Sequence, residues 1–139
     1  MNLIFDRSNI KSRNKGLTFD DVLIIPSKSD VRSRRVPELH THLTKKTTLH
    51  IPIISANMDT ITEHEMALAM NNQGGLGILH RFMTVEEQVK QVYMLKDAEL
   101  KTISASIGVG EDFRERAQML IEAGVNLVTM TLHMGIAFK

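Results

Sequence analysis

Five residues of this chain stand where side-chain chemistry can be done: Asn57, Met58, Asp59, His80 and Arg81. The first three follow an apolar run, Ile51, Ile53 and Ile54, inside the polar cluster Ser55 to Thr60. The last two close a second apolar run, Leu76 to Leu79. If each run is a strand of a parallel α/β sheet, its carboxyl end lies on the edge where such sheets bind ligands. A carboxamide, a thioether, a carboxylate, an imidazole and a guanidinium would then share one edge.

The elements that must position them follow from periodicity. Between the two runs, Met66, Ala67, Ala69 and Met70 recur at helical spacing, and Gly74-Gly75 breaks the segment. Thr62 and Glu65 have capping-box spacing, which predicts a helix from there to about Gln73-Gly74. Thr84 and Glu87 repeat the device and open a second helix carrying Val85, Val89, Val92 and Leu95. Thr102 to Ile107 predicts a third strand with Gly108-Val-Gly110 as its exit, and Glu111 to Ala123 a third helix stopped by Gly124. Val125 to Met130 predicts a fourth strand. The alternation calls for parallel strands with right-handed crossovers. Four strands and three helices make either a small open sheet or about the first half of a (β/α)8 barrel. A half barrel leaves an exposed strand edge and inner face, so it is expected to be marginal alone or stabilised by association.

Before this unit, residues 1 to 16 form a polar, basic arm, and Leu17 to Pro26 a short strand or extended segment closed by Pro26. Ser27 to His50 reads as irregular structure with a hairpin. The expected layout is one partial barrel domain over 1–139. Residues 1–50 supply the arm and extended segments, 51–131 the first four β/α units, and 132–139 a divergent tail.

Composition bounds the function. The 139 residues suffice for one domain, and 42% hydrophobic with 24% charged residues is the balance of a globular protein. A net charge of +1 argues for neither nucleic acid nor an anionic membrane as partner. Basic residues cluster at Lys11, Arg13 and Lys15 and at Arg32, Arg34 and Arg35, the first group reading as a solvated arm. The absence of cysteine removes thiolate metal sites and a cysteine nucleophile from this sequence. The opening residues lack the apolar core of a signal peptide, and no stretch has a membrane span's length. The expected location is cytoplasmic.

Other features read more plainly. His40, His42, His50 and His64 show no metal-ligand spacing with acidic partners and are taken as surface histidines, with no metal expected. Gly74-Gly75-Leu-Gly77 precedes a strand, so it predicts a helix-to-strand link and not a dinucleotide loop. Gly108-Val-Gly110 predicts a simple turn, and the nine methionines are mostly core.

LTFDDVLIIPSKSDVRSR, IPIISANMDTITEHEMALAMNNQGGLGILHRFMTVEEQ and ASIGVGEDFRERAQMLIEAGVNLV together resemble the N-terminal half of the IMP dehydrogenase and GMP reductase family. The resemblance covers roughly residues 17 to 128. It implies a TIM barrel, a tetramer, a purine nucleotide substrate (GMP or IMP) and NADP or NAD as cofactor. In the family a cysteine forms an adduct with the purine ring, and hydride passes between ring and nicotinamide.

Leu95 to Lys101 runs straight on toward the third strand where dehydrogenases usually insert a regulatory pair of domains. Together with Asn57 and with Arg32-Ser33-Arg34, this favours the reductase branch. Thr60-Ile-Thr-Glu63 and Val85-Glu-Glu-Gln88 look more like the dehydrogenases. By the resemblance, Ser33 and Arg34 contact the cofactor of a neighbouring subunit. Arg81 takes the place of a reductase lysine near the cofactor, and Asn57 and Met58 lie at the substrate nucleotide. Arg34 and Arg81 offer cationic forks to phosphate or amide oxygens, and Met58 a polarizable face to a base.

After the fourth strand the family reads Asp-Ile-Ala-His-Gly-His-Ser, with the aspartate on the cofactor. Here Met130 to Lys139 departs from it, and Thr131 stands about where the aspartate belongs. One permitted codon spelling of Met130 to Ala137, shifted to its third base, restores the family motif. The expectation is a frameshift near Thr129-Met130 and a truncated product that is inactive alone. The functional readings are thus a purine nucleotide oxidoreductase, an inactive remnant, or a non-catalytic module docking on like or full-length subunits.

Overall fold

The computed structural model describes residues 18–131, and the arm over 1–16, Leu17 and the divergent tail over 132–139 fall outside them. The chain divides after Pro37 into two units.

In the first unit a 3-10 turn spans Phe19–Asp21. Thr18 donates to the Asp21 carboxylate through its backbone N–H (2.9 Å) and its hydroxyl (3.0 Å). Those two donors hold the Asp21 carboxyl below the ordinary carboxylate range, the backbone bond contributing most. The apolar run that follows joins no strand among the described residues, and Leu23 is 94% and Ile24 80% exposed.

The second unit begins with a hairpin, β1 (Thr41–His42) and β2 (Thr48–Leu49), antiparallel with Thr41 opposite Leu49. The expected alternation follows as β3 (Ile54–Ser55), α1 (His64–Asn72), β4 (Leu76–Leu79), α2 (Val85–Asp97), β5 (Ser104–Ile107), α3 (Phe113–Ala123) and β6 (Leu127–Met130). The four strands β3-β4-β5-β6 form one parallel sheet in sequence order.

Local chemistry sets the boundaries. β3 is shorter than its apolar run because Pro52 has no N–H and the Ile53 N–H turns back to the Ile51 carbonyl (2.9 Å). The capping box at Thr84 forms as predicted, with Glu87 N–H on the Thr84 hydroxyl (3.2 Å) and Thr84 N–H on the Glu87 carboxylate (2.9 Å). The one predicted at Thr62 does not. Thr62 is fully buried and its hydroxyl donates to the Ala56 carbonyl (2.6 Å) and lies 2.8 Å from the Ser55 hydroxyl, so Glu63 becomes the N-cap. Gln91 of α2 accepts the His64 N–H instead (2.9 Å), tying the start of α1 to its neighbour. α3 begins at Phe113, two residues later than Glu111 predicts, and ends on Gly124 at φ +121°.

Side-chain alternation separates the two faces of the sheet. Leu79, Ala105 and Ile107 join Ala67, Val92, Leu95, Leu120 and Ala123 in a core on the helix side. At Gly77 a Cβ would fall 2.3 Å from Ala67 Cα, so this glycine permits direct contact of α1 with β4. On the other face Leu76, Ile78 and the hairpin's Leu49 form a smaller cluster with Leu127 against it.

Candidate functional site

The carboxyl ends of β4, β5 and β6 bring together Arg81, Gly108 and Thr131. Arg81 Nε donates to Thr131 Oγ1 (3.1 Å), and the Thr131 hydroxyl donates onward to the Ile107 carbonyl (3.1 Å). The guanidinium lies 4.8 Å from the Phe82 ring centroid, a cation-π distance. A Cβ on Gly108 would stand 3.2 Å from Arg81 Nη1, so the small residue leaves the cation its place. The two Nη groups have no hydrogen-bond partner among the described residues, which leaves a planar fork of N–H donors uncommitted at this edge. The sequence marks Thr131 only as a residue lacking the family's charge. Its role as the anchor of Arg81 comes from the register of β5 and β6, which no local signal carries.

His80, one of the five candidates at the strand ends, is buried. It is 3% exposed, Nδ1 accepts the Phe82 N–H (3.1 Å), and Nε2 lies 3.4 Å from Glu63 Oε1. With Nδ1 accepting, a neutral ring carries its proton on Nε2, directed at the carboxylate. The imidazole thereby shapes the turn that presents Arg81.

Behind the strand ends lies a polar clamp that the sequence pattern did not single out. Gln88 is fully buried, and its Nε2 donates to the carbonyls of His80 (2.9 Å) and Ser106 (2.9 Å). Its Oε1 accepts from Arg116 Nη1 (3.0 Å), while Arg116 Nη2 donates to the Met83 carbonyl (3.2 Å). Gln88 and Arg116 thus satisfy the carbonyls that end β4 and β5 and fix the loops leaving them. A glutamine on the buried stripe of an amphipathic helix is the available signal for such a clamp.

Asn57 is half-buried and Met58 49% exposed, both beyond β3, and the Met58 carbonyl accepts from the N–H groups of Ile61 and Thr62 (3.0 Å each). Asp59 is exposed. Ser33 and Arg34 lie in the N-terminal unit and are exposed. Ser33 heads a turn, its hydroxyl accepting the Arg35 N–H (3.3 Å) and its carbonyl the Val36 N–H (3.0 Å). A cleft of about 490 Å³, lined by Glu63, His64, His80, Glu87 and Gln91 among others, includes neither Arg81 nor Asn57 nor Met58. The candidate site is therefore placed by the strand ends and not by this cleft.

Residues 16–137 match the family described as the IMP dehydrogenase / GMP reductase domain. The chain belongs to this family. Its parallel sheet and three helices are the α/β alternation of a partial TIM barrel. Among relatives, it is 52% identical over 94 residues to inosine-5'-monophosphate dehydrogenase of Bacillus subtilis (strain 168), covering 68% of this chain and 19% of the relative. It is 52% identical over 82 residues to the protein of that name from Nitrosopumilus maritimus (strain SCM1), covering 59% of this chain and 17% of the relative. With the Staphylococcus aureus (strain Mu50) protein, also so named, identity is 50% over 94 residues, covering 68% and 19%. The matched stretch of this family member thus covers less than a fifth of the length of these relatives. No helix among the described residues is long and apolar enough to cross a membrane, and none of them form a group of three or more His, Cys, Asp or Glu able to hold a metal ion.

Proposed function

We propose that this chain carries the first strand ends of an IMP dehydrogenase-type site, acting on IMP with NAD, in preference to the reductase reading. The relatives named inosine-5'-monophosphate dehydrogenase, about half identical over most of the chain, carry this reading. They outweigh the uninterrupted Leu95 to Lys101 and the Arg-Ser-Arg segment that point to the reductase.

The Arg81 fork, held by Thr131 and Phe82 with its Nη groups uncommitted, suits the phosphate or amide oxygens of a nicotinamide cofactor. That cofactor, when bound, supplies the hydride acceptor. Arg81 binds and orients, Asn57 and Met58 flank the purine nucleotide, and Ser33 with Arg34, on their exposed turn, reach the cofactor of a neighbouring subunit. Thr131 orients Arg81 without adding charge. The family's reaction runs through a cysteine that these 139 residues do not contain, so the purified chain is expected to form no NADH from IMP and NAD.

Grafting residues 18–131 in place of the matching part of the Bacillus subtilis relative tests the reading. A dehydrogenase-type segment leaves NADH formation from IMP measurable, and Arg81→Ala in the graft raises KM for NAD by about tenfold, the worth of one charge-assisted contact. A folded graft that reduces GMP with NADPH but does not oxidise IMP would overturn the dehydrogenase assignment. An unchanged KM would overturn the role of Arg81.

A further inference from the structure

The hairpin carries a pair of histidines that the candidate site does not use. Thr41 faces Leu49 and His42 faces Thr48, so one step further toward the open end of the ribbon His40 faces His50. Because side chains alternate, His40, His42, Thr48 and His50 share one face, opposite the buried Leu49. His50 Nδ1 lies 3.3 Å from His40 Nε2, with ring centroids 5.2 Å apart and planes at 65°. As an N–H···N hydrogen bond this is long, beyond the usual range of about 2.7–3.2 Å. As a pair of metal ligands it fits well. Two Zn–N bonds of about 2.0–2.1 Å at the tetrahedral angle separate their nitrogens by about 3.3 Å, whereas a square-planar ion would need about 2.9 Å.

We propose that His40 and His50 form a two-imidazole site for a tetrahedral divalent transition-metal ion of the zinc class. The remaining positions go to water, since no third His, Cys, Asp or Glu among the described residues joins the pair; His42 on the same face is engaged by Thr48, its Nδ1 3.1 Å from Thr48 Oγ1. Both ligands are exposed, so the ion enters directly from solvent. His50 is already fixed from behind. Its N–H and that of Ile51 both donate to the Gly74 carbonyl (3.0 and 3.1 Å). The backbone of Gly74, at φ +86°, passes so close that a Cβ there would fall 2.8 Å from His50 Cβ. An ion bridging to His40 therefore staples the mouth of the hairpin onto the α1–β4 turn. Leu49 packs with Leu76 near the amino ends of the strands, so the staple acts on stability, away from Arg81. Sequence spacing hides this site because ten residues separate the ligands and only the antiparallel register joins them.

The test is calorimetric titration of the purified 139-residue chain with zinc chloride, with parallel thermal melts and magnesium chloride as the hard-cation control. Zinc is expected to bind and raise Tm while magnesium does neither. His40→Gln and His50→Gln are each expected to weaken zinc binding by about tenfold or more, since even partners behind a ligand cost that much. His64→Gln should leave it unchanged. Zinc binding retained in both hairpin variants, or no zinc binding by the wild-type chain, would overturn the proposal. Should either variant fail to fold by circular dichroism, imidazole NMR shifts of the wild-type chain decide. The His40 and His50 signals must move first on adding zinc, and movement of other histidines alone rejects the site.

Discussion

The two faces of the sheet differ in how each is closed. On the helix side ten buried apolar residues, eight from β4, β5 and all three helices and two, Ile103 and Val125, beside the strands, make one continuous core. On the opposite face only Leu49, Leu76 and Ile78 are buried together, with Leu127 packed against them, and β5 offers Ser104 and Ser106 where the helix side has Ala105 and Ile107. The helix side is thus closed by the chain's own crossovers. The other face is closed near its amino end by the hairpin and turns polar along β5. Parallel sheets are ordinarily covered on both faces, so the contrast marks the face whose packing depends on what lies across from it.

Three substitutions, read by urea denaturation of the purified chain, sharpen or break that contrast. Gly77→Ala should be the most damaging, at about 3 kcal/mol or more, because the new methyl meets the backbone of Ala67, which moves only if α1 lifts off the sheet. A small effect would mean that the helix side is looser than its contacts. Leu49→Ala should cost about 2 kcal/mol, the low end for a buried leucine, since its cluster is small and can relax. A loss matching that of Gly77→Ala would make the two faces equal. Ser104→Ala should be neutral or stabilising by up to about 1 kcal/mol. Its hydroxyl is fully buried without a hydrogen-bond partner among the described residues, so removing it relieves a desolvation cost. A clear loss of stability would show that the hydroxyl is engaged in solution.

Much of the fold was legible where a local rule and the tertiary environment agree. Leu76 to Leu79 is a strand with the predicted boundaries, Thr84 with Glu87 caps α2, and Gly124 stops α3 in a positive-φ conformation. Thr62 shows the limit. Its spacing to Glu65 is that of a cap, yet its hydroxyl is taken by Ser55 and Ala56 in a buried turn, and a buried donor goes to the partner that packing supplies. In the candidate site Arg81 could be nominated because it follows a short apolar run. Its anchoring on Thr131, fifty residues on, could not, nor could the burial of His80 against Glu63. The hairpin was expected somewhere between Ser27 and His50, but its register, and with it the pairing of His40 and His50, was beyond reach of a pattern that short.

The sequence by itself determined the βα alternation, the family, the absence of a cysteine, and which residues end the strands. These are properties of neighbours along the chain: periodicity, caps, glycine stops and ordered motifs. Only the tertiary structure decided that Gln88 and Arg116 clamp those strand ends, that Thr131 holds Arg81, and that two histidines ten residues apart present nitrogens at metal-ligand spacing. Each of these depends on register between strands or on one helix packing against another. Such placement is set by the burial of whole faces at once, which no stretch of sequence specifies alone.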